Sequence, residues 1–172
     1  VFSFFVFNKL DTKIILKNKF KIPNVEGRGS IHNILFNNFK IKLIDQSYNA
    51  SPETMIESIE NFSVIKNGNR DKFLILGNMN ELGLSSLEHH IRVIKVIENN
   101  YFDQVILSGD SFKKALSIFP KLKNKYVYKN KSKSIMSYLE KNIHKNAIIM
   151  AKCSNKTEVN IFVKNLKLFK KG

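Results

Sequence analysis

From residue 40 onward, short apolar runs alternate with longer segments in which apolar residues recur every three or four positions. Continuous apolar runs of this length are typical of strands that are buried on both faces of a parallel sheet, and the longer periodicity is typical of the helices that connect them. The pattern therefore predicts an α/β fold with a doubly wound, mostly parallel sheet of five or six strands. The predicted strands are residues 41–44, 73–76, 104–107, 126–128 and 147–150, and the predicted helices lie within residues 55–62, 87–94, 111–119, 132–142 and 159–166.

The first thirty residues do not follow this alternation. Residues 11–21 read as a lysine-rich helix or coil, and residues 22–29 combine Pro23 with Gly27 and Gly29, as interdomain connections do. We therefore predict that residues 1–30 are the tail of a preceding domain and a junction, and that residues 31–172 are the α/β domain. The chain opens on Val1 without an initiator methionine, and we interpret it as a C-terminal fragment of a longer protein.

The formal net charge of +15 would ordinarily suggest a nucleic acid or an anionic membrane as partner. However, the only arginines are Arg28, Arg70 and Arg92, and the lysines are spread along the chain beside abundant Asn, Ile and Phe. Such residue usage is expected from an A+T-rich genome, and we interpret the dense basic run at residues 121–133 as a solvated face. We expect no nucleic acid and no membrane as partner. A basic α/β nucleic-acid-binding module remains the alternative of a different class.

Cys153 is the single cysteine, so a disulfide framework within the chain is excluded and a reducing compartment is favoured. The apolar start, residues 1–7, is far shorter than the roughly 20 residues of a membrane span. We therefore predict a soluble, cytoplasmic and monomeric protein.

A polar turn follows the first predicted strand at residues 45–51 and leads directly into a helix. Ser51 is a plausible N-cap, and Pro52 suits the first helical position. At this edge of a parallel sheet, backbone N–H groups and the positive helix end can bind a sugar or a phosphate. The alternative is an ordinary connection in which Ser47, Asn49 and Ser51 satisfy only local backbone groups.

Two further polar loops follow predicted strands, at residues 77–83 and 152–154. Because the carboxyl ends of parallel strands meet at one edge, these loops and the first turn are expected to form a crevice. Glu81 could orient a ligand or cap the next helix. Lys152 could meet a carboxylate or phosphate, or be one more surface lysine, with Cys153 buried and inert.

His89 and His90 are adjacent, so on a helix their side chains point about 100° apart and cannot easily share a metal. We interpret both as surface or packed histidines and predict no metal site in this chain. The chain also contains no P-loop, GxGxxG or GxSxG motif.

Taken in order, four short motifs resemble the C-terminal part of the Mur ligase family. VEGRG at residues 25–29 is similar to the family's GRG junction, LIDQSYNASP at 43–52 to its LIDDSYNANP, LGNMNELG at 76–83 to its LGDMLELG, and AKCS at 151–154 to its VKGS. The strand FDQVILSG at 102–109 is also similar to the family pattern, so the resemblance spans nearly the whole chain. The paired SYNAxP and GxMxELG turns resemble the branch that adds D-Ala-D-Ala to UDP-N-acetylmuramoyl-tripeptide, while another Mur step or folylpolyglutamate synthesis remains an alternative.

The resemblance implies a Rossmann-like Mur ligase C-terminal domain, preceded by the tail of a central ATPase domain that carries the P-loop and most Mg²⁺ ligands. It implies ATP and Mg²⁺ as cofactors, UDP-N-acetylmuramoyl-tripeptide and D-Ala-D-Ala as substrates, and the upstream domains of the same chain as partners. The C-terminal domain would close over ATP while an acyl phosphate is formed and attacked by the dipeptide amine. The fragment alone would be inactive.

The resemblance also implies roles for individual residues. Arg28 would be catalytic through a contact with ATP phosphate, and Lys152 and Ser154 would bind the dipeptide. Gln46 stands where the family has an acidic residue expected at the ribose, and Cys153 replaces a glycine. The nucleotide would lie against Arg28, Asp45, Gln46, Tyr48, Asn49 and Ser51.

Overall fold

The structure, a computed structural model, describes residues 26–169 of the 172-residue chain, so the helix or coil predicted at residues 11–21 lies outside the described residues. Strands and helices alternate from the second strand onward. In chain order the elements are β1 (Ser30–Phe36), β2 (Phe39–Gln46), α1 (Pro52–Ser63), β3 (Asp71–Gly77), α2 (Ser86–Glu98), β4 (Gln104–Ser108), α3 (Asp110–Ser117), β5 (Val127–Tyr128), α4 (Ser132–Asn142), β6 (Ala147–Lys152) and α5 (Glu158–Leu166), with 3₁₀ turns at Gly83–Ser85 and Pro120–Leu122.

Within residues 26–169, six strands form one sheet in the order β1-β2-β6-β3-β4-β5. Only the β1–β2 pair is antiparallel, and all other neighbours are parallel. The predicted mostly parallel sheet is therefore confirmed. Because β6 lies between β2 and β3, the loops that follow these three strands emerge side by side at one edge.

Helices cover both faces of the sheet, as a doubly wound fold requires. Successive residues of β3 point to opposite faces, so Leu74 and Leu76 join a core cluster with α1, α2 and α3, whereas Phe73 and Ile75 join a second cluster with α4 and α5. Side chains of both clusters are almost fully buried. Within the described residues, no helix has the length and apolar character needed to cross a membrane.

The edge strand β1 was not among the predicted strands. Its residues alternate between buried and exposed, in contrast to the continuous burial of β3 and β6. A tight turn joins it to β2, with Asn37 and Asn38 both at positive φ (48° and 67°), the backbone that suits a two-residue hairpin. The predicted domain start at residue 31 falls one residue inside this strand, and the division of the chain into two domains stays a prediction.

Candidate functional site

The polar turn after β2 is held in shape by the carboxylate of Asp45. Its Oδ1 accepts hydrogen bonds from the backbone N–H of Ser47 (3.0 Å) and from the Ser47 hydroxyl (2.7 Å). The turn then ends at Ser51, whose side chain accepts from the Thr54 N–H and caps α1, with Pro52 at its first position. The predicted N-cap is thus confirmed, and the positive end of α1 opens at the turn.

The junction segment, residues 26–29, lies directly against this turn. Gly29 N–H donates to the Asp45 carbonyl (2.7 Å), and Tyr48 N–H donates to the Gly27 carbonyl (3.1 Å). Gly27 has φ +78°, and a Cβ at this position would lie 2.9 Å from the Tyr48 nitrogen. Glycine is therefore required both by the backbone conformation and by the close approach of the turn.

Between the junction segment and the turn is a cavity of about 280 Å³, which we call the junction cleft. It contains all of the predicted site residues except Asp45 and Ser154, and none of the described residues in its lining is acidic. The Arg28 guanidinium carbon lies 4.6 Å from the centre of the Tyr48 ring, which holds the side chain at the cleft mouth. The lining consists of Gly27, Arg28, Gln46, Tyr48, Asn49, Ser51, Thr54 and Lys152.

Lys152 ends β6 and is paired in register with Gln46 of β2. Lys152 is 5% exposed, and its ammonium group donates to the Asn49 carbonyl at 3.2 Å. Burial lowers the pKa of Lys152. An anion in the cleft would compensate part of the cost of burying this cation.

The side chain of Gln46 is oriented by Ser58 of α1. The Ser58 hydroxyl oxygen lies 2.7 Å from the Thr54 carbonyl and 2.5 Å from the Gln46 side-chain carboxamide. The carboxamide atom that faces Ser58 is Oε1, so the Ser58 hydroxyl hydrogen is shared between Oε1 and the Thr54 carbonyl, and the Gln46 NH₂ group is left for the cleft.

Asp45 itself lies behind the turn rather than in the junction cleft. Its side chain is fully buried and lines a neighbouring cavity of about 260 Å³. Lys167, at the C-terminal end of α5, approaches its Oδ2 at 2.9 Å. Burial raises the pKa of Asp45, but hydrogen bonds from Ser47 and the contact with Lys167 outweigh this effect and leave the pKa below its ordinary value.

Ser154 faces a different part of the molecule from Lys152. Its N–H donates to the Asn78 carbonyl (3.0 Å), and its hydroxyl accepts from the Asn80 N–H (2.9 Å), so it ties the loop after β6 to the loop after β3. Beside this tie is a third cavity, of about 390 Å³, which we call the loop cleft. Sequence reasoning missed most of its lining, which consists of Asn78, Asn80, Ser108, Gly109, Asp110, Tyr128, Asn130, Lys131, Lys156, Thr157 and Glu158.

His90 is a packed residue, as predicted. It is fully buried, its Nδ1 lies 2.6 Å from the Ser86 carbonyl, and its Nε2 accepts from the Met79 N–H at 3.2 Å. Burial lowers its pKa. It therefore holds the loop after β3 as a neutral side chain and is not placed to bind a metal.

Cys153 is buried, and burial raises the pKa of its thiol to about 12, in line with the predicted inert role. Its backbone φ is not positive, so the replacement of a glycine here causes no strain of that kind. In the part of the chain that the structure describes, no group of three or more His, Cys, Asp or Glu side chains could hold a metal ion.

The sheet order, the glycine-bearing junction and the loops at the carboxyl ends of the strands define a Rossmann-like α/β domain with a cleft at that edge. Its fold is that of solved Mur ligases, as the motifs predicted. MurF from Acinetobacter baumannii superposes with a TM-score of 0.72 over 95% of this chain, at 18% identity, and the match covers 35% of that protein. The MurF ligase from Thermotoga maritima, solved in complex with ADP, gives 0.65 over 86% of this chain and 33% of that protein, at 23% identity.

A ligase of another Mur step also has the fold of this chain. UDP-N-acetylmuramate-alanine ligase MurC from Thermotoga maritima superposes with a TM-score of 0.58 over 96% of this chain and 36% of that protein, at 15% identity. These identities establish the fold alone, and the chain spans about a third of the length of each of these ligases. No protein-family model matches the chain. No curated protein matches it either.

Proposed function

We propose that this chain is the C-terminal, nucleotide-facing part of a cytoplasmic ATP-dependent Mur ligase that adds D-Ala-D-Ala to UDP-N-acetylmuramoyl-tripeptide. The observation that carries the proposal is the junction cleft. Arg28, Lys152 and the N-terminal end of α1 meet there, and no described acidic residue lines it. Such a site suits the phosphates of a nucleotide, and the likeness to a MurF ligase solved with ADP supports that choice.

In this proposal the cations have separate tasks. The guanidinium of Arg28, held over the Tyr48 ring, presents a planar set of donors to phosphate oxygens and stabilises charge that develops as a phosphoryl group is transferred. Lys152, fixed by the Asn49 carbonyl, adds a point charge deeper in the cleft. ATP would supply the phosphoryl group that activates the tripeptide carboxylate for attack by the dipeptide amine.

The uncharged residues of the cleft would hold the sugar and the base. The Gln46 NH₂ group is available to donate to a ribose hydroxyl oxygen, although a neutral amide lacks the charge-assisted contribution of a carboxylate. The exposed ring of Tyr48 offers an apolar face to the nucleotide. Asn49 and Ser51 shape the cleft, because their side chains accept from the Ala50 and Thr54 N–H groups.

For the dipeptide we propose the loop cleft next to Ser154. Its lining contains cationic side chains, Lys131 and Lys156, and acidic side chains, Asp110 and Glu158. A zwitterionic dipeptide carries both complementary charges. The described residues supply no multi-carboxylate metal site, so we assign the Mg²⁺ ligands to the part of the enzyme that precedes this chain.

The test is phosphate release by the protein extended to include the sequence upstream of Val1. Release should require UDP-N-acetylmuramoyl-tripeptide and D-Ala-D-Ala together; dependence on UDP-N-acetylmuramate and L-alanine instead would reassign the chain to the MurC step. Arg28→Ala should lower turnover by about 10³-fold or more, as loss of a transition-state arginine does. Arg70→Ala is the matched control, because Arg70 lies just before β3 at the opposite edge of the sheet and should leave turnover unchanged.

The nucleic-acid-binding alternative rests on the net charge of +15. Binding through phosphate contacts would give affinity that falls steeply with salt on a log–log plot. We expect weak binding without such a slope for duplex and single-stranded nucleic acid. A steep slope at physiological salt, together with no substrate-dependent phosphate release, would replace the ligase proposal by this alternative.

A further inference from the structure

Lys164 of α5 and Lys167 at its C-terminal end both line the cavity of about 260 Å³ behind the turn, but they differ in burial. Lys164 is exposed, whereas the Lys167 side chain is only 15% exposed and contacts the carboxylates of both Asp45 and Glu26. Burying a lysine to this degree costs free energy unless the charge is paired. Lys167 therefore has a specific electrostatic task that its neighbour does not share.

Asp45, the buried partner of Lys167, contacts both the turn after β2 and the junction segment. One oxygen of its carboxylate fixes Ser47 at the start of the turn, and the other lies 2.9 Å from Lys167. Its backbone carbonyl accepts from Gly29 of the junction segment. Both walls of the junction cleft thus depend on the position of Asp45.

The two contacts of Lys167 differ in strength. The Glu26 side chain is 77% exposed, so that ion pair is screened by water and salt and contributes little. The Asp45 side chain is 1% exposed, and a buried carboxylate that loses the only cation within 4 Å of it among the described residues is strongly destabilised. Lys167 therefore acts chiefly through Asp45.

We propose that Lys167 is a positioning residue of the junction cleft: through Asp45 it keeps the turn and the junction segment together, so that Arg28 stays over Tyr48. The expected effect of Lys167 on nucleotide binding rests on the proposed function. Its effect on the position of the turn and the junction segment does not. It follows that residues 26–29 move as one body with this domain.

Amide hydrogen exchange of the 172-residue chain, read by NMR at Ser47, Tyr48 and Gly29, tests the positioning directly. Lys167→Met should speed exchange at these amides by about tenfold or more, as expected when a local restraint is lost. Lys167→Arg should restore protection. Lys164→Met is the matched control, since it removes the same charge from the same cavity, and should leave exchange as in the wild type. Equal effects of the two Met variants, or no effect of Lys167→Met, would overturn the proposal.

A second comparison covers the case in which Lys167→Met does not fold because Asp45 is left buried without its partner. In an Asp45→Asn background no buried charge remains to be neutralised. If Lys167 acts through Asp45, adding Lys167→Met to Asp45→Asn should change exchange at Tyr48 and Gly29 much less than adding it to the wild type. An undiminished effect in that background would show that Lys167 acts by another route and would refute the assigned role.

Titration with ADP of the same variants, made in the protein extended to include the sequence upstream of Val1, separates this proposal from the proposed function. We expect ADP affinity to fall in Lys167→Met and to be retained in Lys164→Met. A wild-type extended protein that does not bind ADP would count against the proposed function, while the exchange data would still decide whether Lys167 holds the turn. Faster exchange with unchanged ADP affinity would refute the role in the cleft.

Discussion

The glycines of the junction segment offer a sharp test of how the cleft is built. Gly27 and Gly29 both have positive φ, +78° and +86°. Only Gly27 is crowded: a Cβ there would lie 2.9 Å from the Tyr48 nitrogen and 3.0 Å from the Tyr48 Cβ, whereas a Cβ at Gly29 would meet nothing within 4 Å. Alanine at either position therefore carries the cost of a left-handed backbone, but only alanine at position 27 also carries the cost of a steric clash.

The shared cost is the left-handed backbone, about 1–2 kcal/mol for a residue with a Cβ. Gly27→Ala adds a clash with backbone that cannot rotate away, and overpacking of this kind costs about 1–3 kcal/mol. Gly27→Ala should thus reduce the free energy of unfolding by roughly 2–5 kcal/mol. Gly29→Ala should reduce it by only the shared amount, although both variants change the same motif.

Urea unfolding followed by circular dichroism measures the difference. With a urea dependence of about 1–3 kcal/mol per molar for a small domain, the midpoints of the two variants should differ by about 1 M. The Tyr48 amide should also lose protection in Gly27→Ala and keep it in Gly29→Ala. Equal midpoints would refute the close packing of the junction against the turn, and with it the geometry of the cleft.

Two further predictions concern buried polar groups away from the cleft. Because burial lowers the pKa of His90, its neutral form stabilises the fold fully above the unfolded-state value of about 6.5, and this contribution is lost as pH falls through the folded-state pKa. Unfolding free energy measured between about pH 8 and pH 5 should fall less steeply in His90→Gln; an identical slope would contradict the role of His90. The Tyr126 hydroxyl is buried without a hydrogen-bond partner among the described residues, and burial raises its pKa to about 12. Tyr126→Phe should therefore raise thermal stability by about 1 kcal/mol, and a loss of stability would reveal a partner for the hydroxyl.

Most of the sheet could be predicted because its strands are buried on both faces and read as continuous apolar runs. Every predicted strand overlaps an observed one, β2 to β6. β1 was not predicted because an edge strand of a hairpin buries only alternate residues. Its buried residues Ile34 and Phe36 are separated by the exposed Leu35, so they form no continuous apolar run. Its turn carries Asn37-Asn38, a weaker signal than Asn-Gly.

Only those cleft residues that belong to a sequence motif could be predicted. Tyr48 follows β2 and Lys152 ends β6, and topology brings the carboxyl ends of parallel strands to one edge. Arg28 precedes β1, whose first residue lies opposite Asp45 because β1 is antiparallel to β2. Lys167 is 122 residues from Asp45 in sequence and belongs to no motif, so its pairing with Asp45 could not be read from the chain. Ser154 was expected beside Lys152, but β6 ends at Lys152, and the chain beyond it no longer alternates as a strand does.

The register of the sheet changes the interpretation of Gln46. As a sequence feature it is a departure from the acidic residue of the Mur ligase motif. In the structure it stands opposite Lys152 across the β2–β6 pair, and Ser58 holds its carboxamide. A carboxylate at this position would lie beside the Lys152 side chain and compete with any anion for its charge. With Gln46 there, Lys152 and Arg28 face the junction cleft without an acidic residue in the described lining. In the proposed function this favours the phosphates of the nucleotide at the expense of a charged partner for its sugar.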